Sequence, residues 1–214
     1  MHLTQRWRRR QFQFLEPGPL VDHELSLIAP STSHLDDVLA SANHIDSLNE
    51  PQAEPVTRQQ FVDFLRAAPL GRVPGDASSG RVPGYHFWMR IRRVADVPLP
   101  LWGTAEPPVR IAGRISLRIG HTRDIENYFG HVGYNVYTPA RGNHYAERSC
   151  RLLFALARSH GMRELWITCN PDNHPSRRTC ERLGGALVEI VDVPTDNVLY
   201  ARGERRKCRY RIDL

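Results

Sequence analysis

Apolar residues recur along the chain at two periods, and the places where the period changes mark out its elements. Leu25-Ser26-Leu27-Ile28 alternates as a strand does. Ser31, Thr32 and Ser33 then offer N-caps for a helix reaching about residue 44. A second helix is predicted over 57–68, with Phe61, Phe64 and Leu65 on one face and Pro69 as its stop. Residues 71–84 are rich in glycine, proline and serine and predict a loop. A strand over 85–94 carries Trp88 and Met89 near its middle, and a second long loop with four prolines follows over 95–108. Over 109–119 the alternation is strict. Ile111, Gly113, Ile115, Leu117 and Ile119 share one face, while Arg110, Arg114, Ser116 and Arg118 share the other. Residues 121–129 read as a connector with about one helical turn, before a strand over 130–137. An amphipathic helix over 145–160 has its seam at Ala146, Cys150, Leu153 and Ala157 and leads through Gly161 into an apolar strand over 164–169. A helix ending at Gly184-Gly185 and strands near 186–191 and 207–213 complete the chain.

Strands and helices interleave throughout, which predicts one α/β domain over 21–214 behind a basic arm over 1–20, the arm read as a loosely held tail or edge extension. A length of 214 residues suits a single sizeable core, and 41% apolar with 24% charged residues is ordinary for a soluble protein. No apolar run is long enough to span a bilayer, and the basic residues 1–10 lack the apolar stretch of a signal peptide. The expected location is the cytoplasm, with no membrane partner. Cys150, Cys169, Cys180 and Cys208 are scattered without a C-x-x-C pair, as buried thiols of a reducing compartment would be. No histidine pair shows a metal-ligand spacing, so no metal is expected. The net charge of +6 reads first as basic residues spread over the surface, with a contribution that suits a phosphorylated cofactor. Nucleic acid is a weaker reading, resting only on the Arg6–Arg10 run, and it predicts steeply salt-dependent binding.

The stretch from Tyr134 to Ala146, YNVYTPARGNHYA, changes this picture most. A short apolar strand runs into a Thr-Pro break, then an arginine, a small polar turn and the start of the long helix. The first turn of a helix has amides with no intrahelical partner, and its dipole adds partial positive charge. Arg141 would add a full charge at the same spot, giving a cradle for pyrophosphate.

The run Arg141-Gly142-Asn143-His144-Tyr145-Ala146 resembles the Q/R-x-x-G-x-G/A motif of the GNAT N-acetyltransferase superfamily, which holds the pyrophosphate of acetyl-coenzyme A (acetyl-CoA). His144 stands where the family has its central glycine. The downstream order of helix, strand, Asn173-x-x-Ser176 and helix is similar to the family's core. The chain is most similar to a bacterial branch carrying G-H-I-G-Y before the arginine and ending R-Y-x-I-D-L, here Gly130 to Tyr134 and Arg209 to Leu214. The resemblance implies a mixed central sheet with helices on both faces and a splayed strand pair, 130–137 and 164–169, that takes the cofactor between them. Tyr134, Asn135 and Val136 would offer backbone groups to pantetheine, with an amide near Tyr134 or Asn135 polarising the thioester. Asn173 looks like the family's pantetheine-binding asparagine, with Ser176 one turn later. A helix N-cap is an equally good role for Asn173.

The implied activity is acetyl transfer from acetyl-CoA to an amine by direct attack. A neutral histidine can accept a proton at physiological pH, so His131, opening the strand beside the reaction centre, is a candidate base. A structural strand-end histidine weighs about equally against that role. Tyr134 is a second catalytic candidate, with Glu126 and Tyr128 weaker. Many family members carry a tyrosine acid seven residues after the asparagine, where this chain has Cys180. That departure, with His144, keeps open a non-catalytic acyl-CoA-binding or sensing module on the same fold. The acceptor is expected to be a small-molecule or peptide amine, walled by residues such as Trp88, Trp102, Tyr128 and Phe129. A homodimer is left open.

Overall fold

The computed structural model describes residues 12–44, 54–91 and 110–214. Its strands are β1 (Leu25–Ile28), β2 (Arg72–Val73), β3 (Gly84–Ile91), β4 (Ile111–Arg118), β5 (Val132–Val136), β6 (Glu164–Cys169), β7 (Ala186–Asp192) and β8 (Arg206–Asp213). Its helices are α1 (Leu35–Ala42), α2 (Arg58–Ala67), α3 (Tyr145–Ser159), α4 (His174–Arg182) and the short α5 (Val198–Ala201). The predicted 85–94 strand and 95–108 loop, with Trp102, run beyond the described residues, as does the arginine run of the N-terminal arm.

Two sheets form. The first runs β1-β3-β4-β5 with β2 paired to β3; the second runs β6-β8-β7. Every ladder is antiparallel, and the sheets meet where β5 and β6 form facing edges. The strand alternation of β3 dictates the layers. Tyr85, Phe87 and Met89 point into the main core with Cys150, Leu153, Leu156 and Ala157 of α3. Trp88 points the other way, onto Leu35 and Val38 of α1 and Phe61 of α2. Helices therefore cover both faces, and Trp88 is core rather than a wall of the acceptor site.

The strict alternation read for 109–119 breaks once. Met89 pairs with Gly113 but Arg90 pairs with Ile111, so β4 bulges at Ala112. The bulge sends Ile111 to the α1 side while Ala112, Ile115 and Leu117 stay in the main core. The α3 seam also shifts: Tyr145 and Ser149 are buried beside Cys150, while Ala146 is only half-buried. The part of the N-terminal arm that is described is not a loose tail. Phe12 stacks on His160 at 5.3 Å, Phe14 meets Tyr85 edge-on, and the Leu15 amide donates to the Tyr85 hydroxyl at 2.7 Å.

Asp22 and Glu24 together grip Arg148 of α3, and the Tyr145 hydroxyl donates to Glu24 at 2.6 Å. These bonds fix the first turn of α3 against β1. Among the described residues no helix is long and apolar enough to cross a membrane, and no cluster could hold a metal ion.

Candidate active site

The loop after β5 takes its shape from its own residues. Thr138–Ala140 makes a tight turn with Pro139 in it, and Arg141 is extended behind it. Gly142 has φ of +86° and His144 has φ of +57°. The left-handed region costs a non-glycine residue roughly 1–2 kcal/mol, which explains why a glycine is the usual occupant of the second position. Asn143 folds the turn from within, its side-chain amide donating to the carbonyls of Ala140 and Arg141 at 3.3 and 3.1 Å. No side chain caps α3, so the positive end of its dipole faces the turn without a side-chain acceptor at the N-cap.

A cavity of about 730 Å³ opens over this turn. β5 contributes Tyr134, Asn135 and Val136; the turn contributes Arg141, Gly142, His144, Tyr145 and Ala146; α4 contributes Asn173 and Ser176. Every cofactor residue read from the sequence except Asn143 lines it, and Asn143 supports the turn from behind. Two further cations, Arg178 and Arg182 on α4, complete a triangle of arginines with Arg141. Sequence reading passed over both. Their spacing of four on the helix begun by Asn173 was the available signal, since it puts them on one face. Arg182 also bonds the His144 ring at 2.8 Å, holding that side chain at the cavity wall.

A second cavity, about 260 Å³, lies between the facing edges of β5 and β6. Val132, Gly133 and Tyr134 line one side, Ile167, Thr168 and Cys169 the other. Tyr134, Asn173 and Ser176 border both cavities, so together they mark one path from the arginines into the cleft. Asn173 is the N-cap of α4, its Oδ1 accepting from the Ser176 amide at 3.1 Å. Its cap role and its place on the cavity coexist. Phe129 lines the cleft, whereas Tyr128 is buried in a small cluster with Val193 and Leu199. At the far mouth stand Glu204, Lys207 and Asn170, with Lys207 bonded to both of the others. No local motif in the sequence marks this trio; only the pairing of β8 with β6 brings them here.

His131 lies at the root of the cleft rather than on its wall. Its backbone amide donates to the Trp166 carbonyl at 2.6 Å, and the Trp166 amide donates to its Nδ1 at 2.8 Å. Nε2 donates to the Gly120 carbonyl at 3.1 Å. That backbone bond is the one rung between the edges of β5 and β6 among the described residues, and beyond it they part. The side chain is fully buried, and burial pushes its pKa down to about 3. Both ring nitrogens are committed, which leaves no lone pair for a substrate proton. Glycine is required next to it: a Cβ on Gly130, at φ +68°, would sit 3.0 Å from the Trp166 carbonyl oxygen. Glu126 bonds His121 at the surface at 3.0 Å, outside both cavities.

The side chains inside the path hold their protons differently. Burial, with the neighbouring Cys180 and Cys150, raises the Tyr134 pKa far above the usual phenol range, so its hydroxyl stays protonated. It lies 2.8 Å from Ser176 Oγ. Cys180 is fully buried, its pKa raised by its bond to Cys169 and by burial, which makes it a packed thiol. The same bond, given by Cys180, lowers Cys169 to about 7.

A family model described as an acetyltransferase (GNAT) domain matches residues 24–186. The chain belongs to the GNAT acetyltransferases. It is an acyltransferase that moves acetyl from acetyl-CoA to an amine. Comparison with curated protein sequences finds no match. Among solved structures, the chain is similar to the microcin C7 self-immunity acetyltransferase MccE in complex with acetyl-CoA and AMP. Identity is 15% over 90% of this chain and 94% of that one, with a TM-score of 0.60. It also resembles RimL, a ribosomal L7/L12 alpha-N-protein acetyltransferase in complex with coenzyme A, at 17% identity over 91% and 96% of the chains and a TM-score of 0.57. A GCN5-related N-acetyltransferase from Brucella melitensis shares 18% identity over 93% and 80%, with a TM-score of 0.59. At these identities the likeness shows the GNAT fold alone.

Proposed function

We propose that acetyl-CoA lies along the path just described, with its pyrophosphate on the turn from Arg141 to Ala146 and its thioester in the β5–β6 cleft. The observation that carries this is the continuity of the two cavities at Tyr134, Asn173 and Ser176. Arg141, Arg178 and Arg182 supply charge for the phosphates, and the N-terminal turn of α3 supplies amide donors and its dipole. The edges of β5 and β6 offer pantetheine backbone partners beyond the single rung at His131.

In this reading the amine lone pair attacks the thioester carbonyl, and the tetrahedral intermediate expels the thiolate of coenzyme A while acetyl stays on nitrogen. Ser176, backed by the protonated Tyr134, donates a hydrogen bond to that departing thiolate, which takes its proton from solvent while the new amide nitrogen gives one up to solvent. The pair fills the gap left by cysteine at position 180, which removes the main ground for a non-catalytic module. At the far mouth Glu204 is the carboxylate placed to receive the acceptor ammonium and pass its proton to solvent. His131 becomes a positioning residue that sets the opening of the cleft. RimL by its description acts on a protein α-amine, and MccE confers microcin immunity. For this chain the acceptor is a primary amine, of a peptide or a small molecule, presented in a cytoplasmic setting.

Release of free thiol from acetyl-CoA should depend on added primary amine. Ser176→Ala should lower kcat by about tenfold or more while leaving coenzyme A affinity within a few-fold. Unchanged kcat in Ser176→Ala and Tyr134→Phe would remove the hydroxyl pair from the mechanism.

A further inference from the structure

The sequence holds 28 arginines and one lysine, Lys207. An arginine keeps its proton in a protein and cannot act as a nucleophile. A lysine ammonium becomes a nucleophilic amine once it gives up one proton. Lys207 is therefore the chain's only side-chain amine, and it stands in the cleft where acetyl transfer is placed.

The alternation of β8 puts it there. Cys208, Tyr210 and Ile212 point into the main core, so Lys207 and Arg209 share the opposite face. Arg209 does structural work, donating from Nε to the Glu126 carbonyl at 2.8 Å and pairing with Glu189. Lys207 is buried and lines the β5–β6 cavity instead. Its Nζ donates to Asn170 Oδ1 at 2.8 Å and to the Glu204 carboxylate. Both partners line the same cavity. So does Cys169, whose pKa the Lys207 charge helps to lower, after the larger effect of its bond from Cys180. Three lining residues thus place Nζ at the cavity. The carboxylate read above as the seat of the acceptor ammonium already holds an ammonium, and it is the chain's own.

We propose that Lys207 is a self-acetylation site: its ε-amine takes acetyl from the acetyl-CoA in the cleft, and the loss of its charge releases Glu204 to the acceptor amine. This rests on the transferase reading above. Nζ first gives a proton to Glu204, which passes it to solvent. The nitrogen lone pair then forms a bond to the thioester carbonyl carbon, and the C–S bond breaks with its electron pair on sulfur. The nitrogen sheds a second proton to solvent, and the thiolate takes one up. The balance is one acetyl group moved and one proton released. The product is a neutral amide, so the acetyl stays on Lys207 and the ion pair with Glu204 is lost.

The test uses the full chain made by cell-free translation in a lysate depleted of acetyl-CoA. It is then incubated with deuterated acetyl-CoA and no added amine, and its peptides are mapped by mass. One heavy acetyl group should appear on Lys207, at a rate that saturates with acetyl-CoA and does not depend on protein concentration. That rate should exceed labelling of the urea-unfolded chain by about tenfold or more, and excess coenzyme A should suppress it. Against added primary amines, the acetylated enzyme should show a KM about three- to tenfold below that of Lys207→Arg, whose charge still occupies Glu204. Labelling no faster in the folded than in the unfolded chain would be chemical acetylation and would overturn the proposal. A KM equal to that of Lys207→Arg would overturn the release of Glu204. An unmodified Lys207 in a protein whose melting temperature rises with acetyl-CoA, and which acetylates added amine, would overturn the proposal and leave the transferase reading standing. No thermal shift and no amine-dependent thiol release, with Lys207 unmodified, would remove both.

Discussion

At the scale of one residue, His131 replaces a rung of strand pairing with its own ring. Its amide and Nδ1 together satisfy both backbone groups of Trp166, and Nε2 ties in Gly120. The fold therefore requires the neutral imidazole, and its pKa of about 3 lies below the 6.5 of an unfolded histidine. Between those values the unfolded chain binds the extra proton. The stability this residue contributes is complete above about pH 6.5 and drains away as pH falls toward 3. Each unit in that window costs up to about 1.4 kcal/mol, and His86, at about 4, adds in the same direction. Denaturant unfolding at pH 7.5 and pH 5.5 checks this. His131→Asn should flatten part of the slope and cost roughly 2–4 kcal/mol at pH 7.5, because the Trp166 amide and Gly120 carbonyl lose a buried partner. A slope unchanged in the variant would put the proton elsewhere. The sequence could not separate this role from a base. Both roles want a neutral histidine at the start of a strand, and one step of register exchanges wall for root.

At the scale of elements, the anion turn was the most legible part of the chain. Strand, Thr-Pro break, arginine and helix start are a local order, and local order survives folding. What escaped was contributed by distant elements. Arg178 and Arg182 belong to α4, and Glu204 and Lys207 reach the cleft only because β8 pairs with β6. The bulge at Ala112 was hidden for a related reason, since a bulge is defined by its partner strand and not by its own residues. If the three arginines act together on pyrophosphate, Arg141→Glu should weaken acetyl-CoA by about ten- to hundredfold and abolish most of its thermal shift. Arg141 is exposed, so the unliganded melting temperature should hardly change. Titration calorimetry at two salt concentrations should also show a shallower salt dependence in the variant. Wild-type affinity in Arg141→Glu would move the phosphates off this turn.

At the scale of the molecule, interleaved strands and helices gave away the α/β class, and helices on both faces followed from the alternation of β3. The splayed strand pair was legible only through the family resemblance, and the separation into two antiparallel sheets that touch at one rung was not read from the sequence. Backbone pairing leaves no side-chain signature to read. That division is what gives the chain a cleft, because an unbroken sheet would have buried the free edges of β5 and β6. Phe12 and Phe14 close the far side of the main core, so residues before the first strand belong to the same folding unit.

The central claim is that the cofactor threads from the arginine turn into the opening below His131. A crystal structure of the protein with coenzyme A tests it most directly. The account predicts pyrophosphate on the amides that open α3, pantetheine between β5 and β6, and sulfur beside Ser176 and Tyr134. Coenzyme A bound anywhere else, with the β5–β6 cleft empty, would contradict it.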